Sequence, residues 1–170
     1  MLKALGVVLL MGGCIGVGLG KIRGMDSRIN ALRAFLCSLE VIERELDFRL
    51  SPMDELLQIA SQGTPEPISG LLKKCSDELR KGLEYPFSEL WGRLVREHLT
   101  MMTKNDLECI LSLGSILGRY DTDGQRQAVE RVRTVLTQSL MNALSERKGQ
   151  GKVYGVLGAT TGAFLVILLL

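Results

Sequence analysis

The sequence has few of the residues that metal sites and enzyme active sites need. It contains one histidine and four widely separated cysteines, and no two cysteines have the spacing of metal ligands. No glycine-rich phosphate loop carries the lysine of a nucleotide site, and no serine stands in a nucleophile elbow. These absences argue against catalysis, so we expect a non-enzymatic protein with no cofactor. We expect isolated thiols at Cys14, Cys37, Cys75 and Cys109.

Charge is balanced overall and absent from both ends of the chain. The 21 basic and 19 acidic side chains leave a formal charge of +2, which gives no case for a nucleic-acid-binding surface. Residues 4–20 and 153–170 contain no Asp, Glu, Lys, Arg or His. A helix crosses a bilayer with about 20 apolar residues, and about 17 is the lower limit. We therefore predict transmembrane helices over residues 1–20 and 153–170, with a polar domain over 21–152 between them.

The N-terminal segment has three competing interpretations. Lys3 precedes an apolar run, as in a cleaved secretory signal, and residues 11–14 faintly resemble a lipoprotein cleavage box. Against both, the apolar run continues past Cys14 to Gly20, where a mature lipoprotein would turn polar. We favour a retained membrane anchor. The alternative is a lipoprotein or exported helical adaptor that is anchored through Cys14.

Basic residues flank the polar domain on both sides and predict its orientation. Outside this domain only Lys3 carries a positive side chain. An excess of Lys and Arg marks the cytoplasmic side of a membrane, so the domain is expected in the cytosol and both termini outside it. The flanking basic residues are Lys21, Arg23, Arg28, Arg33, Arg147, Lys148 and Lys152.

The polar domain shows helical periodicity and no strand pattern. Its apolar residues recur at spacings of three and four, and period-two alternation is absent. We predict an all-α fold, an antiparallel bundle of about six helices between the two transmembrane helices. The apolar row of the first long helix is Ile29, Leu32, Leu36, Leu39, Ile42, Leu46 and Leu50, and that of the last is Val129, Val132, Leu136, Leu140, Ala143 and Leu144.

Capping and breaking residues predict where the helices begin and end. Ser51 suits the N-cap of a short second helix, with Pro52 at its first position. Thr103 and Asp106 predict a cap with a following acid ahead of a later helix. Breaks are expected at residues 63–67, at Gly82 and at Tyr85-Pro86, and Gly149 and Gly151 are expected to interrupt the chain before the last membrane helix.

Glycines four residues apart indicate close helix packing at several places. Gly114 and Gly118 share a helix face, which indicates either close contact with a neighbour or simply a helix end at Gly118. Within lipid, small residues at this spacing let helix backbones approach, although glycine is common in membrane helices anyway. The candidate membrane-helix packing residues are Gly12, Gly16, Gly20, Gly158 and Gly162.

A series of short motifs runs in order along the chain. It comprises residues 28–33, Leu39-Glu40, residues 45–48, Ser51-Pro52 and residues 55–57, then Trp91, residues 106–108, Leu113-Gly114, residues 117–119, Asp121, Gln125, Leu157-Gly158, Gly162 and residues 168–170. In this order, and with two terminal anchors, the chain resembles the stage III sporulation protein AB family over essentially its whole length.

This resemblance implies a mother-cell membrane protein of endospore-forming bacteria. The family works in a channel-like complex that links mother cell and forespore during engulfment. Its helical domain is similar to the F domain of type II secretion and type IV pilus platforms. The implied partners are a secretion-type ATPase on the cytosolic side, stage III sporulation protein AA, and other membrane components of the complex. Self-association into a homo-oligomer stays open.

A platform that docks an ATPase needs an exposed, structured surface rather than a pocket. The candidates are charged residues of the first long helix and the following turn, which are exposed if the apolar row faces inward. They are Arg33, Glu40, Arg44, Asp47 and Asp54. Glu40 and Arg44 have the spacing of an ion pair along a helix. The alternative is that all of these charges only solvate the helix.

Overall fold

Six α-helices make up the part of the chain that this computed structural model describes. The backbone is described for residues 2–48, 51–117 and 122–169, and the side chains for residue 20, 22–47, 51–117 and 123–149. No strand occurs in these ranges, so the all-α prediction is confirmed. The helices are α1 (Leu2–Phe48), α2 (Met53–Gln62), α3 (Ile68–Lys81), α4 (Phe87–His98), α5 (Lys104–Leu113) and α6 (Thr122–Leu169).

These helices form two compact units. Residues Arg28–Met141 make up one unit, which we call the helical domain. Residues Met1–Ser27 together with Asn142–Leu170 make up the other, which we call the terminal unit. The long helices α1 and α6 each contribute to both units.

The two predicted membrane helices fall mostly on residues whose side chains lie outside the described part. Within the described residues, no helix combines the length and the apolar character that crossing a membrane requires. The spans over residues 1–20 and 153–170 therefore remain predictions from the sequence.

The helical domain is built around a core of large apolar side chains. On α1, Leu32, Leu39 and Ile42 of the predicted apolar row are at most 1% exposed, and Phe35 widens that row. Full burial of one such side chain contributes about 1.5–3 kcal/mol, so this core is the main stabilising element of the domain. Its largest fully buried members are Trp91, Phe35, Leu32, Leu39, Ile42, Leu56, Leu57, Ile68, Leu71, Leu72, Leu90 and Leu99.

Two ion pairs show that α1 and α6 run in opposite directions in the helical domain. Glu43 pairs with Arg133 at 3.1 Å, and Asp47 pairs with Arg126 at 3.6 Å. A later position on α1 thus meets an earlier position on α6, as an antiparallel pair requires.

Trp91 of α4 joins three helices in the middle of this core. Its indole Nε1 donates a hydrogen bond of 2.9 Å to the carbonyl oxygen of Ile110 on α5. Its ring centroid lies 6.4 Å from that of Phe35 on α1. A Cβ atom at Gly114 would lie 2.5 Å from Cδ1 of Trp91. Gly114 therefore marks a close contact, as one of its two interpretations predicted, whereas Gly118 lies outside the described residues.

Several predicted boundaries are confirmed. Thr103 caps α5, because its hydroxyl accepts the Asp106 amide at 3.3 Å while Oδ2 of Asp106 accepts the Thr103 amide at 3.1 Å. Gly82 ends α3 with a φ of 86°, a backbone conformation that favours glycine. The breaks before α3 and at Tyr85-Pro86 are also present.

The predicted start of α2 is wrong by one residue. Pro52, not Ser51, occupies the capping position, and no side chain caps this end. The Pro52 carbonyl oxygen instead accepts the first helical hydrogen bond, from the Leu56 amide at 2.9 Å. Proline fits here because it lacks the amide hydrogen that a helix start leaves unpaired.

Two further predictions about α6 are wrong. Gly149 and Gly151 do not interrupt it, because α6 is continuous from Thr122 to Leu169. A glycine inside a helix costs about 1 kcal/mol relative to alanine, which surrounding helix formers such as Arg147 and Lys148 can offset. Leu144 is 38% exposed, so it does not belong to the buried row.

Candidate docking surface

One exposed stripe of side chains runs along α1 within the helical domain. Its members recur at intervals of four and three residues, the spacing that keeps side chains on one side of a helix. All of them are exposed to solvent. The stripe, which we call the α1 stripe, consists of Arg33, Cys37, Glu40, Arg44 and Asp47.

The α1 stripe is largely free of internal pairing. Nε of Arg44 donates a hydrogen bond of 3.3 Å to the backbone carbonyl of Glu40, and the predicted side-chain ion pair between them does not form. Among the described residues, the side chains of Arg33 and Glu40 form no ion pair. These charges are therefore available to a partner.

The predicted docking residues divide into two groups. Arg33, Glu40, Arg44 and Asp47 share the α1 stripe, although Asp47 also pairs with Arg126. Asp54 lies on α2, where its carboxylate pairs with Arg80 of α3 at 3.2 Å and its carbonyl accepts the Ser76 hydroxyl at 2.7 Å. Asp54 therefore holds α2 against α3.

The predicted membrane-packing glycines lie mostly outside the described surroundings. Gly12 and Gly16 belong to α1, and Gly158 and Gly162 belong to α6, but the structure describes nothing around them. Gly20 is exposed, and no atom lies within 4 Å of where a Cβ would stand. Their packing role stays a prediction.

A buried polar junction, which the sequence did not reveal, ties α5 to α1. The side chain of Asp106 is 1% exposed, and its Oδ2 accepts a hydrogen bond of 2.8 Å from Nε of Arg28. Burial alone would raise the pKa of Asp106, but hydrogen bonds from Arg28, Thr103 and Ser139 outweigh burial and lower it. Asp106 is therefore ionised at neutral pH. No sequence pattern could signal a pairing across 78 residues.

A second ion pair connects α1 and α6 inside the terminal unit. Arg147 binds Asp26 through two hydrogen bonds, from Nε at 2.8 Å and from Nη2 at 3.3 Å. The Arg147 hydrogen bond lowers the pKa of the Asp26 carboxyl and raises the pKa of Arg147. Two-point contact fixes the relative register of the two helices at this position.

The remaining polar groups do not gather into a reactive site. Burial raises the pKa of the Cys75 thiol to about 12, and burial together with Asp106 raises that of Cys109. Both thiols are therefore poor nucleophiles, whereas Cys37 is exposed.

Within the described part of the chain, no three His, Cys, Asp or Glu residues could hold a metal ion. An open groove of about 480 Å³ between α3 and α4 is lined by Lys74, Asp77, Glu78, Lys81, Arg93, Leu94 and Glu97.

Comparison with known proteins gives one consistent result. A family model described as stage III sporulation protein AB matches residues 3–170. The stage III sporulation protein AB of Bacillus subtilis (strain 168) is 24% identical over 177 residues, and the match covers 100% of both chains. A solved stage III sporulation protein AB shares the fold with a TM-score of 0.64 at 22% identity, over 72% of this chain and 98% of that one. The chain belongs to the stage III sporulation protein AB family.

Proposed function

We propose that this protein is a non-enzymatic membrane platform that docks a secretion-type ATPase, stage III sporulation protein AA. The observation that carries the proposal is the α1 stripe, a structured and exposed row of charges with few partners of its own. Membership of a sporulation family supports the setting, which is a secretion-like complex between mother cell and forespore.

The two uncharged ends of the chain support a role at the membrane. We place residues 1–20 and 153–170 in the mother-cell membrane around the forespore and residues 21–152 in the cytosol. This topology agrees with the basic residues that flank the domain. Two anchors prevent the domain from rotating freely, so a partner's conformational cycle can act on both membrane helices.

The continuity of α1 and α6 gives this coupling a physical route. Each helix runs without a break from the helical domain into the terminal unit. A force applied to the α1 stripe would act on the same helix that carries the predicted N-terminal anchor. The platform would pass motion between the ATPase and the other membrane components of the complex.

Charge reversal on the α1 stripe tests the docking. Charged residues at the edge of an interface mainly set the orientation and the rate of association. Each contributes modestly to the binding free energy. We expect Glu40→Lys with Asp47→Lys to weaken ATPase binding about tenfold, which corresponds to roughly 1.4 kcal/mol. Binding of the purified full chain to the ATPase would be measured in detergent at low and at high salt.

The chain offers a matched control for this pair. Glu84→Lys with Glu97→Lys also reverses one unpaired exposed acid and one exposed acid in an ion pair, since Glu97 lies 3.2 Å from Lys74. The control should bind the ATPase like the wild type. Equal ATPase binding by the wild type, the Glu40→Lys/Asp47→Lys variant and the control, all folded, would contradict docking at the α1 stripe.

The exposed thiol of Cys37 gives a second test without changing any charge. Because Cys37 lies on the α1 stripe, a bound ATPase should slow its reaction with a maleimide. Unchanged labelling at saturating ATPase would contradict docking at this surface. The buried thiol of Cys75 serves as the internal control.

A further inference from the structure

The charge of this protein is divided unevenly between its two units. The terminal unit carries six basic residues and two acids, whereas the helical domain carries 15 basic residues and 17 acids. A chain that is almost neutral overall therefore has a basic terminal unit and a mildly acidic helical domain. The four basic residues beside the uncharged segments are Lys21, Arg23, Lys148 and Lys152.

Helix geometry places these basic residues closer to the uncharged segments than either acid. A helix rises about 1.5 Å per residue, so Arg23 lies about 5 Å beyond Gly20 along α1, and Lys148 about 8 Å before Val153 along α6. By the same measure Asp26 lies about 9 Å from Gly20, and Glu146 lies about 11 Å from Val153. The Debye length at physiological ionic strength is about 8 Å. The nearest charges on both helices are therefore positive.

Within the described residues, no ion pair neutralises two of these cations. Arg23 and Lys148 are exposed, and neither forms an ion pair there. Asp26, the acid nearest to Arg23 in sequence, is already engaged by Arg147 through two hydrogen bonds. That internal ion pair engages the carboxylate that α1 contributes to the terminal unit, so Asp26 does not compete for Arg23.

We propose that Arg23 and Lys148 bind the headgroups of anionic phospholipids at the membrane surface. The inference rests on the proposed membrane anchoring, and it adds a lipid partner to that function. Basic residues beside a membrane helix attract anionic lipid, and the attraction falls off within a Debye length. The terminal unit thus selects the lipids around it.

Lipid selectivity of the reconstituted full chain tests this proposal. The protein is placed in phosphatidylcholine vesicles that contain a minority of phosphatidylglycerol. Spin-labelled forms of both lipids then report which is enriched next to the protein. We expect a preference of about fivefold for phosphatidylglycerol at low salt, and its loss at 1 M salt, where the Debye length is about 3 Å.

Matched variants separate the effect of Arg23 and Lys148 on lipid preference from that of the other basic residues. Arg23→Gln with Lys148→Gln should reduce the preference by half or more, and Arg23→Lys with Lys148→Arg should retain it. Lys73→Gln with Arg131→Gln removes two exposed cations of the helical domain and should leave the preference unchanged. Equal preference in wild type and in the Arg23→Gln/Lys148→Gln variant would overturn the proposal.

An alkaline carbonate wash of the same vesicles distinguishes this proposal from the anchoring. Protein that resists the wash but shows no lipid preference contradicts the headgroup site alone. Protein that the wash releases contradicts the membrane anchoring, and the headgroup site fails with it.

Discussion

At the residue scale, Asp106 combines almost complete burial with a negative charge that Arg28 neutralises from α1. Removing one partner of a buried ion pair leaves the other charge uncompensated, which typically costs 3–5 kcal/mol. Because Arg28 keeps some contact with solvent, we expect Asp106→Asn to lower the free energy of unfolding by about 3 kcal/mol. Denaturant unfolding can be followed through the fluorescence of Trp91, the single tryptophan.

The exposed ion pair of Lys74 and Glu97 provides the control for this substitution. Exposed pairs contribute up to about 1 kcal/mol, so Glu97→Gln should change the free energy of unfolding far less than Asp106→Asn. Similar losses in the two variants would contradict a structural role for the buried junction.

The lowered pKa of Asp106 also predicts how this difference depends on pH. Its pKa is lower in the folded than in the unfolded chain, so its contribution is complete above the unfolded value of about 4. The contribution is lost as the pH falls through the lower, folded pKa. The gap in unfolding free energy between wild type and Asp106→Asn should therefore be constant near neutral pH and shrink in acid.

Gly114 tests the close contact with Trp91. An alanine Cβ would lie 2.5 Å from Cδ1 and 2.9 Å from Cγ of the buried indole. The rigid indole cannot yield cheaply, so we expect Gly114→Ala to destabilise the protein by about 1–3 kcal/mol. Gly63→Ala is the control, because no atom lies within 4 Å of its Cβ position, and thermal unfolding compares the two. A melting temperature equal to that of Gly63→Ala would rule out the contact.

Residue-level prediction from the sequence succeeds where the signal is local. The Thr103 cap and the Gly82 terminus each depend on residues a few positions apart, and both are present. The pairings of Asp106 with Arg28 and of Asp26 with Arg147 join positions that are 78 and 121 residues apart. Such contacts arise from the packing of whole helices, so single-chain patterns cannot specify them.

At the element scale, α1 has a buried face and, on its other side, the exposed α1 stripe. Leu39 is fully buried and Glu40, the next residue, is exposed. Leu39→Asp puts an unpaired charge into the core, and we expect it to prevent stable folding or to cost several kcal/mol. Glu40→Ala should change the free energy of unfolding by less than about 0.5 kcal/mol. Circular dichroism and Trp91 fluorescence should separate the two variants clearly, and similar behaviour would mean that the faces of α1 are misassigned.

The lengths of α1 and α6 could not be predicted from composition alone. The change from polar to apolar sequence at Lys21 and Val153 suggested separate helices, and glycines at 149 and 151 suggested a break. Both helices nevertheless continue without interruption. A change in polarity alters the environment that suits a helix but does not break its backbone hydrogen bonds, and a single glycine costs too little to end it.

At the scale of the whole molecule, we propose a helical domain that is anchored to the membrane through both ends of the chain. The all-α fold and the family follow from the sequence pattern and the family match. The candidate docking residues are charged positions of the first long helix and the following turn, and four of the five share the α1 stripe. Asp54 does not share it, because it lies on α2, where its carboxylate pairs with Arg80 of α3.

The most direct test of the account is the position of each part of the chain relative to the membrane. A variant that keeps Cys37 as its only cysteine, and a second with its only cysteine added after Leu170, would be expressed in bacteria that are not forming spores, so that the protein lies in the plasma membrane and its termini face the outside of the cell. A membrane-impermeant maleimide should label the added cysteine in intact cells, and Cys37 only after the membrane is opened. Labelling of Cys37 in intact cells, or protection of the added cysteine there, would contradict a cytosolic domain held by two membrane helices.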